Sequence, residues 1–368
     1  FFSTIVAAFA WIVGIFIIAC IIPLSMAAFT IAFKIDMVEF WNVIGNVFFT
    51  AVLVLASFAL GVSLTGNGFT NFFVPLMIIF VPRVISTIIY NMAKAELFQK
   101  DIPKKERVFY YESETDDPIQ TKEQEKGQEV RLPEGYQFIP KNPFVKLYSA
   151  ILFRIFKLFG QYYERGYWQA KFYGREKLKK AKGKGYVIYA NHTNPFHDVF
   201  GPALAADRRI FTIISPVNLK IPGIGKVLPY IGGLPLGKTA EEKKAFNDAV
   251  DKRLKQKKCL VIYPEAHVWP YATKIRKFPA GDRSFKYAVR NNLPVFTMTT
   301  TYHKRNNKKR GELPRMDVYV DGPFWPDPKK SEDENRKILA QKAYDSMVKY
   351  SKKNSYEYFQ YRPKSIKK

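Results

Sequence analysis

The distribution of apolar and polar positions divides the chain into three stretches of different character. Residues 1–33 and residues 40–82 contain no charged side chain. A helix needs roughly 20 apolar residues to cross a hydrocarbon core of about 30 Å, so these runs predict an all-α transmembrane region over residues 1–95. One span is expected at about Ile5–Ala32, kinked at Pro23, and a second at about Trp41–Val62. The turn signal Ser63-Leu-Thr-Gly-Asn-Gly68 leads into a third apolar stretch from Phe69, interrupted by Pro75, Pro82 and Arg83. A third span or a segment lying in the interface both fit it. A cleaved leader does not, because the apolar run is too long and lacks a basic start. The chain opens on Phe1 rather than methionine, and an upstream segment is expected.

Residues 96–142 are mixed in charge and read as a solvated linker, most clearly at Glu112-Ser-Glu-Thr-Asp-Asp117 and at 122–129. A helical period follows over 143–165, where Val145, Leu147, Ile151, Leu152, Ile155, Phe156, Leu158 and Phe159 recur at helical spacing. Lys146, Arg154, Lys157 and Arg165 fall within about 100° of one another on a helical wheel. A broad apolar face beside a narrow cationic stripe suits a helix lying in an anionic membrane surface. Residues 143–170 are therefore expected to form an interfacial amphipathic helix. A helix packed into the core of the following domain is the other reading.

From Gly185 onward, short β-rich runs alternate with helical ones. Gly185–Ala190, Phe211–Ile214, Cys259–Tyr263, Pro294–Thr299 and Met316–Val320 read as buried strands. Val199–Ala205, Ala240–Lys255, Asp282–Asn291 and Ser331–Lys349 read as helices, the last opened by the Ser331/Glu334 capping box. This order predicts an α/β domain over residues 171–368, a mostly parallel sheet flanked by helices and closed by a C-terminal helix. Sites in such sheets lie beyond the carboxyl ends of the strands. That rule directs attention to the segments starting at Asn191, Pro264 and Thr300.

Charge sharpens the division. The 368 residues carry a net charge of +26, but residues 1–143 are nearly neutral and the excess lies in residues 144–368. The basic excess and the lysines following the third apolar stretch place this part on the cytoplasmic side of a multi-pass protein by the positive-inside rule. A hydrophobic content of 47% excludes disorder. Two cysteines, Cys20 and Cys259, exclude a disulfide framework.

The chain has four histidines, and His192, His197 and His267 stand in two of the three sheet-end segments. Asn191-His-Thr-Asn-Pro-Phe-His-Asp198 supplies a histidine and a carboxylate able to act as base and orienter. Tyr263-Pro-Glu-Ala-His267 adds a second carboxylate and histidine. Three chemistries remain open on these residues. They are proton transfer at a hydroxyl, a metal-dependent hydrolase liganded by His192, His197, Asp198, Glu265 and His267, and a non-catalytic basic membrane tether. No aromatic-interleaved nucleic-acid motif is present, and no nucleic-acid partner is expected.

Residues from about Tyr173 to Gly322 resemble the lysophospholipid acyltransferase family, whose best-known members are the 1-acyl-glycerol-3-phosphate acyltransferases. Phe172-Tyr-Gly-Arg-Glu-Lys-Leu-Lys179 resembles the strand and turn before its first motif. Ala190–Asp198 resembles the Asn-His-x4-Asp block, with one extra residue between His192 and Asp198. The run 221–238, ending Gly-Gly-Leu-Pro-Leu-Gly-Lys238, resembles the second block, with Lys238 where an arginine is usual. Val261-Ile-Tyr-Pro-Glu-Ala266 resembles Phe-Pro-Glu-Gly, with Ala266 in the glycine position, and Leu293–Met298 resembles the fourth block. The resemblance implies a membrane-bound acyltransferase that moves a fatty acyl group from an acyl thioester to a lysophospholipid hydroxyl, most directly 1-acyl-glycerol 3-phosphate. His192 and Asp198 would be catalytic. Asn191, Lys220, Lys226, Lys238, Glu265 and His267 would bind substrate. No cofactor or metal is expected beyond the donor, acyl-CoA or acyl carrier protein, and the bilayer is the expected partner. Replacing His197 with alanine is expected to be mild.

Overall fold

The computed structural model describes residues 101–118, 130–221, 224–305 and 311–364. The spans expected over residues 1–95 lie outside these residues. Among the described residues no helix is long and apolar enough to cross a membrane. Residues Lys100–Lys368 fold as one compact unit.

Strict alternation explains the sheet. In β3 (Tyr186–Ala190), Tyr186, Ile188 and Ala190 point to one apolar core and Val187 and Tyr189 to the other. This is the two-residue period of a strand covered on both faces. Strands β2 (Lys171–Tyr173), β4 (Ile210–Ile214), β5 (Gly233–Pro235), β6 (Cys259–Ile262), β7 (Val295–His303) and β8 (Arg315–Phe324) complete a seven-stranded sheet in the order β2-β8-β7-β3-β6-β4-β5. Strands β7, β3, β6, β4 and β5 are mutually parallel, and β8 runs antiparallel to β7.

One face of the sheet packs on α1 (Pro143–Tyr162), α2 (His197–Ala205) and α3 (Leu228–Ile231), and the other on α4 (Ala240–Lys255), α5 (Lys286–Arg290) and α6 (Glu332–Ser351). Helices α4 and α6 each start at a capping box, Thr239 with Glu242 and Ser331 with Glu334, which satisfies first-turn amides reciprocally. The mostly parallel α/β expectation holds for this domain.

Two expectations change. Within the stretch read as solvated linker, Val108–Tyr111 forms β1, paired in parallel with β9 (Gln360–Pro363), and Leu132 and Phe138 enter a core. The β-rich run Val108-Phe-Tyr-Tyr111 was too short to stand out among charges, and its partner lies at the far end of the sequence. The second change concerns α1, which packs into the domain along one side and leaves apolar residues exposed along the other. Leu152, Phe153 and Gly160 are buried, and Phe156 stacks on Phe200 at 4.5 Å. On the other side, Phe144, Leu147, Ile151, Leu158 and Tyr162 are exposed, the last at 72%. Lys157 leaves the expected cationic stripe, turning inward to donate to the Ala206 carbonyl at 3.3 Å. Burial lowers its pKa.

Candidate active site

His192 follows the end of β3 directly. Its Nδ1 lies 2.6 Å from Asp198 Oδ2, and no described residue bonds its Nε2. The imidazole is 20% exposed and the Asp198 side chain 4%. The pair is thus a partly exposed ring with one nitrogen fixed by a buried carboxylate and the other without a hydrogen-bond partner among the described residues. The extra residue in the block is taken up before α2. Asn194 Oδ1 accepts from the amides of Phe196 and His197 at 3.1 and 3.0 Å, an Asx-type cap on the first turn. Asp198 then stands in that turn, and its Oδ2 also accepts from the Asn194 amide at 3.3 Å.

The segment after β6 holds His192 from the other side. Glu265 is 2% exposed. One of its carboxylate oxygens accepts from the His192 amide and the other from the Arg276 amide, each at 2.7 Å. Burial pushes its pKa up to about 7 against the opposing effect of these donors. The amides of Trp269 and Tyr271 donate to the carbonyls of His192 and Thr193 at 2.9 and 2.8 Å. The Tyr263 ring stacks on the His192 imidazole, centroids 4.4 Å apart.

Tyr263 also repairs a defect in α2. Pro202 stands four residues after Asp198 and has no N–H for the Asp198 carbonyl. The Tyr263 hydroxyl supplies that donor at 2.5 Å. Nothing in the local sequence pattern singled out Tyr263. The proline four residues past the aspartate was the available signal.

The other expected site residues are placed differently. Asn191 is 2% exposed and spends its amide on Thr300, donating to its carbonyl at 3.0 Å and accepting from its N–H at 2.8 Å. Asn191 and Glu265 therefore hold the loop from inside, each through two hydrogen bonds to backbone groups. His267 Nδ1 lies 3.1 Å from Asp117 Oδ2, and that hydrogen bond raises its pKa against partial burial. Lys220 and Lys226 are exposed, and Lys238 is half-buried just beyond the carboxyl end of β5. His197 is wholly buried, with Nδ1 2.7 Å from Glu164 Oε2 and Nε2 2.8 Å from Thr300 Oγ1. It stands buried at the start of α2 rather than in an open loop. The expected third sheet-end loop is absent at Thr300, since β7 continues to His303.

The five residues of the metal-hydrolase alternative do not converge. His197 turns to Glu164, Glu265 to two amides and His267 to Asp117. Among the described residues no three histidine, cysteine or carboxylate groups form a metal-binding cluster.

Residues 169–301 match the family model described as Acyltransferase. No curated protein matches the chain. Among solved structures, the domain is similar to the 1-acyl-sn-glycerophosphate (LPA) acyltransferase PlsC from Thermotoga maritima. The TM-score is 0.44 at 18% identity, covering 60% of this chain and 87% of that one.

Proposed function

We propose, from the match of residues 169–301 to the family model described as Acyltransferase, that this enzyme moves a fatty acyl group from an acyl thioester to the free hydroxyl of a lysophospholipid, with 1-acyl-glycerol 3-phosphate giving phosphatidate as the first choice. The observation that carries this reading is the His192–Asp198 pair, with Nδ1 engaged at 2.6 Å and Nε2 without a hydrogen-bond partner among the described residues.

With Nδ1–H donating to Asp198, Nε2 holds the lone pair. It takes the proton of the acceptor hydroxyl as the oxygen attacks the thioester carbonyl. Asp198 stabilises the imidazolium that forms. The tetrahedral intermediate collapses, the C–S bond breaks and the new ester C–O bond remains. His192 returns its proton to the leaving thiolate. Proton and acyl group balance, so the step needs no metal or redox partner. Glu265 and Tyr263 keep the imidazole in place while its charge changes.

The acceptor headgroup and the donor both carry phosphate in this reading, and Lys220, Lys226 and Lys238 are the basic residues assigned to them. Lysine contributes a point charge without the bidentate fork of arginine. The exposed side of α1, flanked by Lys146, Arg154 and Arg165, is assigned to an anionic bilayer surface. The uncharged runs at residues 1–33 and 40–82 support a multi-pass membrane protein with this domain on the cytoplasmic face.

The test is an assay of the purified full chain against lysophosphatidate, glycerol 3-phosphate and lysophosphatidylcholine, each with acyl-CoA and with acyl carrier protein as donor. Phosphatidate formed from lysophosphatidate, with one thiol released per ester, is expected. Thioester hydrolysis without transfer to any acceptor would overturn the reading.

A further inference from the structure

Behind His192 and Asp198 lies a second histidine–carboxylate pair that the transfer chemistry does not use. Glu164 and His197 are both 0% exposed and 2.7 Å apart. Glu164 stands in the π-helical turn Tyr163–Tyr167 that ends α1, a local irregularity often found at functional sites. Two close approaches bring it there. A Cβ on Gly160 would lie 2.8 Å from the Phe200 ring, so α1 can press against α2 only with glycine at that position. A Cβ on Gly201 would lie 2.6 Å from the His197 ring, so the ring occupies space left by a second glycine.

The pair reaches both members of the proton-transfer site. His197 directly precedes Asp198, and Asn191 directly precedes His192. The two meet on Thr300. His197 Nε2 lies 2.8 Å from the Thr300 hydroxyl, and Asn191 makes two hydrogen bonds to the Thr300 backbone. A chain of buried polar contacts thus runs from α1 through Glu164, His197 and Thr300 to Asn191. Buried ionisable pairs are weak contributors to stability, since well-packed apolar residues often do as well. Burial raises the Glu164 carboxyl, and although burial opposes an imidazolium, the neighbouring carboxylate raises His197. One oxygen of Glu164, Oε1, has no partner. Such a costly arrangement beside the site indicates a role in geometry.

We propose that Glu164 and His197 are positioning residues, whose contact fixes the first turn of α2 against β7 at the depth that sets Asp198 on His192 Nδ1. The inference rests on His192 as the proton acceptor.

The titratable groups around the pair are Asp198 and the phenols of Tyr163, Tyr263 and Tyr302. Those around His192 are Asp198, Tyr263 and Glu265. The experiment uses the full chain in detergent micelles, with all histidines carrying a 13C label at Cε1. Four histidines keep the spectrum assignable. The His192 Cε1 resonance at one fixed pH and the kinetics with lysophosphatidate are compared between the parent, Glu164→Gln and Thr300→Val. Loosening Asp198 changes the surroundings of the imidazole, so the His192 resonance should move from its parent position in both variants. kcat should fall about tenfold while KM for donor and acceptor stays within about twofold. If both variants keep the parent's His192 resonance and kcat and only melt at lower temperature, the pair is a packing feature and the proposal fails. Should Glu164→Gln not fold, Thr300→Val removes one hydroxyl with little change of shape and decides alone. A parent protein that transfers no acyl group would overturn the functional reading, while the His192 resonance would still decide the positioning role.

Discussion

The main-chain N–H of His192 donates to a carboxylate oxygen of Glu265, 2.7 Å away. The carboxylate next to the site is therefore a structural acceptor, and its burial gives the domain a pH dependence. Its folded-state pKa is raised to about 7 from 4.5. A group raised on folding contributes stability that is present below its unfolded value and lost as pH climbs through the folded value. Relative to Glu265→Gln, the parent should lose stability between about pH 4.5 and about pH 7. Urea midpoints of the two proteins at several pH values across that window check this. A difference that does not change with pH would contradict it.

Tyr263→Phe should lower kcat several-fold and cost about 1–3 kcal/mol, because the Asp198 carbonyl loses the donor that Pro202 cannot supply. The stacked ring is retained, so substrate KM should hold. Adding Pro202→Ala to Tyr263→Phe restores an N–H at the right position in α2 and should recover much of both losses. Kinetics and melting curves of the single and double variants read the coupling directly. Simple additivity of the two changes would show that the tyrosine hydroxyl and the proline are unrelated.

Ala266 occupies the left-handed region, with φ of 65°. Alanine there costs roughly 1–2 kcal/mol that glycine avoids, offset in part by glycine's greater freedom in the unfolded chain. Ala266→Gly should raise stability by about 0.5–1 kcal/mol and leave kcat unchanged. A lower melting temperature would mean that the methyl group makes a packing contribution larger than the strain.

The exposed side of α1 should bind membranes. Residues 100–368 alone should co-sediment with vesicles containing anionic lipid and not with neutral ones. Ile151→Glu together with Leu158→Glu should abolish this without unfolding, since both side chains are exposed. Phe156→Glu should instead unfold the domain, because Phe156 stacks on Phe200. If the unaltered domain stays in the supernatant at every lipid composition, this side of α1 faces something other than a bilayer.

Features set by local pattern were legible before any coordinates. The short, continuous apolar and β-rich run Gly185–Ala190 gave a buried strand, and the helical period over Ala240–Lys255 gave α4 with both ends in place. Features set by distant partners were not. Strand β1 depends on β9, and Glu164 reads in sequence as an ordinary polar position at a helix end, although it is wholly buried against His197. A helical wheel found the apolar surface of α1 but could not divide it, so Phe156 and Ile151 looked alike. His192 and Asp198 were singled out from the sheet-end rule and the family resemblance. That Asn191 and Glu265 bond to backbone groups depends on partners distant in sequence, Thr300 for one and His192 and Arg276 for the other.

The account stands most directly on one measurement, the rate of phosphatidate formation from lysophosphatidate and a thioester donor by the full chain and by His192→Ala, both checked for an unchanged melting temperature. The parent should form ester and free thiol in equal amounts, and His192→Ala should be slower by about a thousandfold or more, the scale of losing a general base held in place. A folded His192→Ala protein that transfers acyl groups at the parent rate would contradict it.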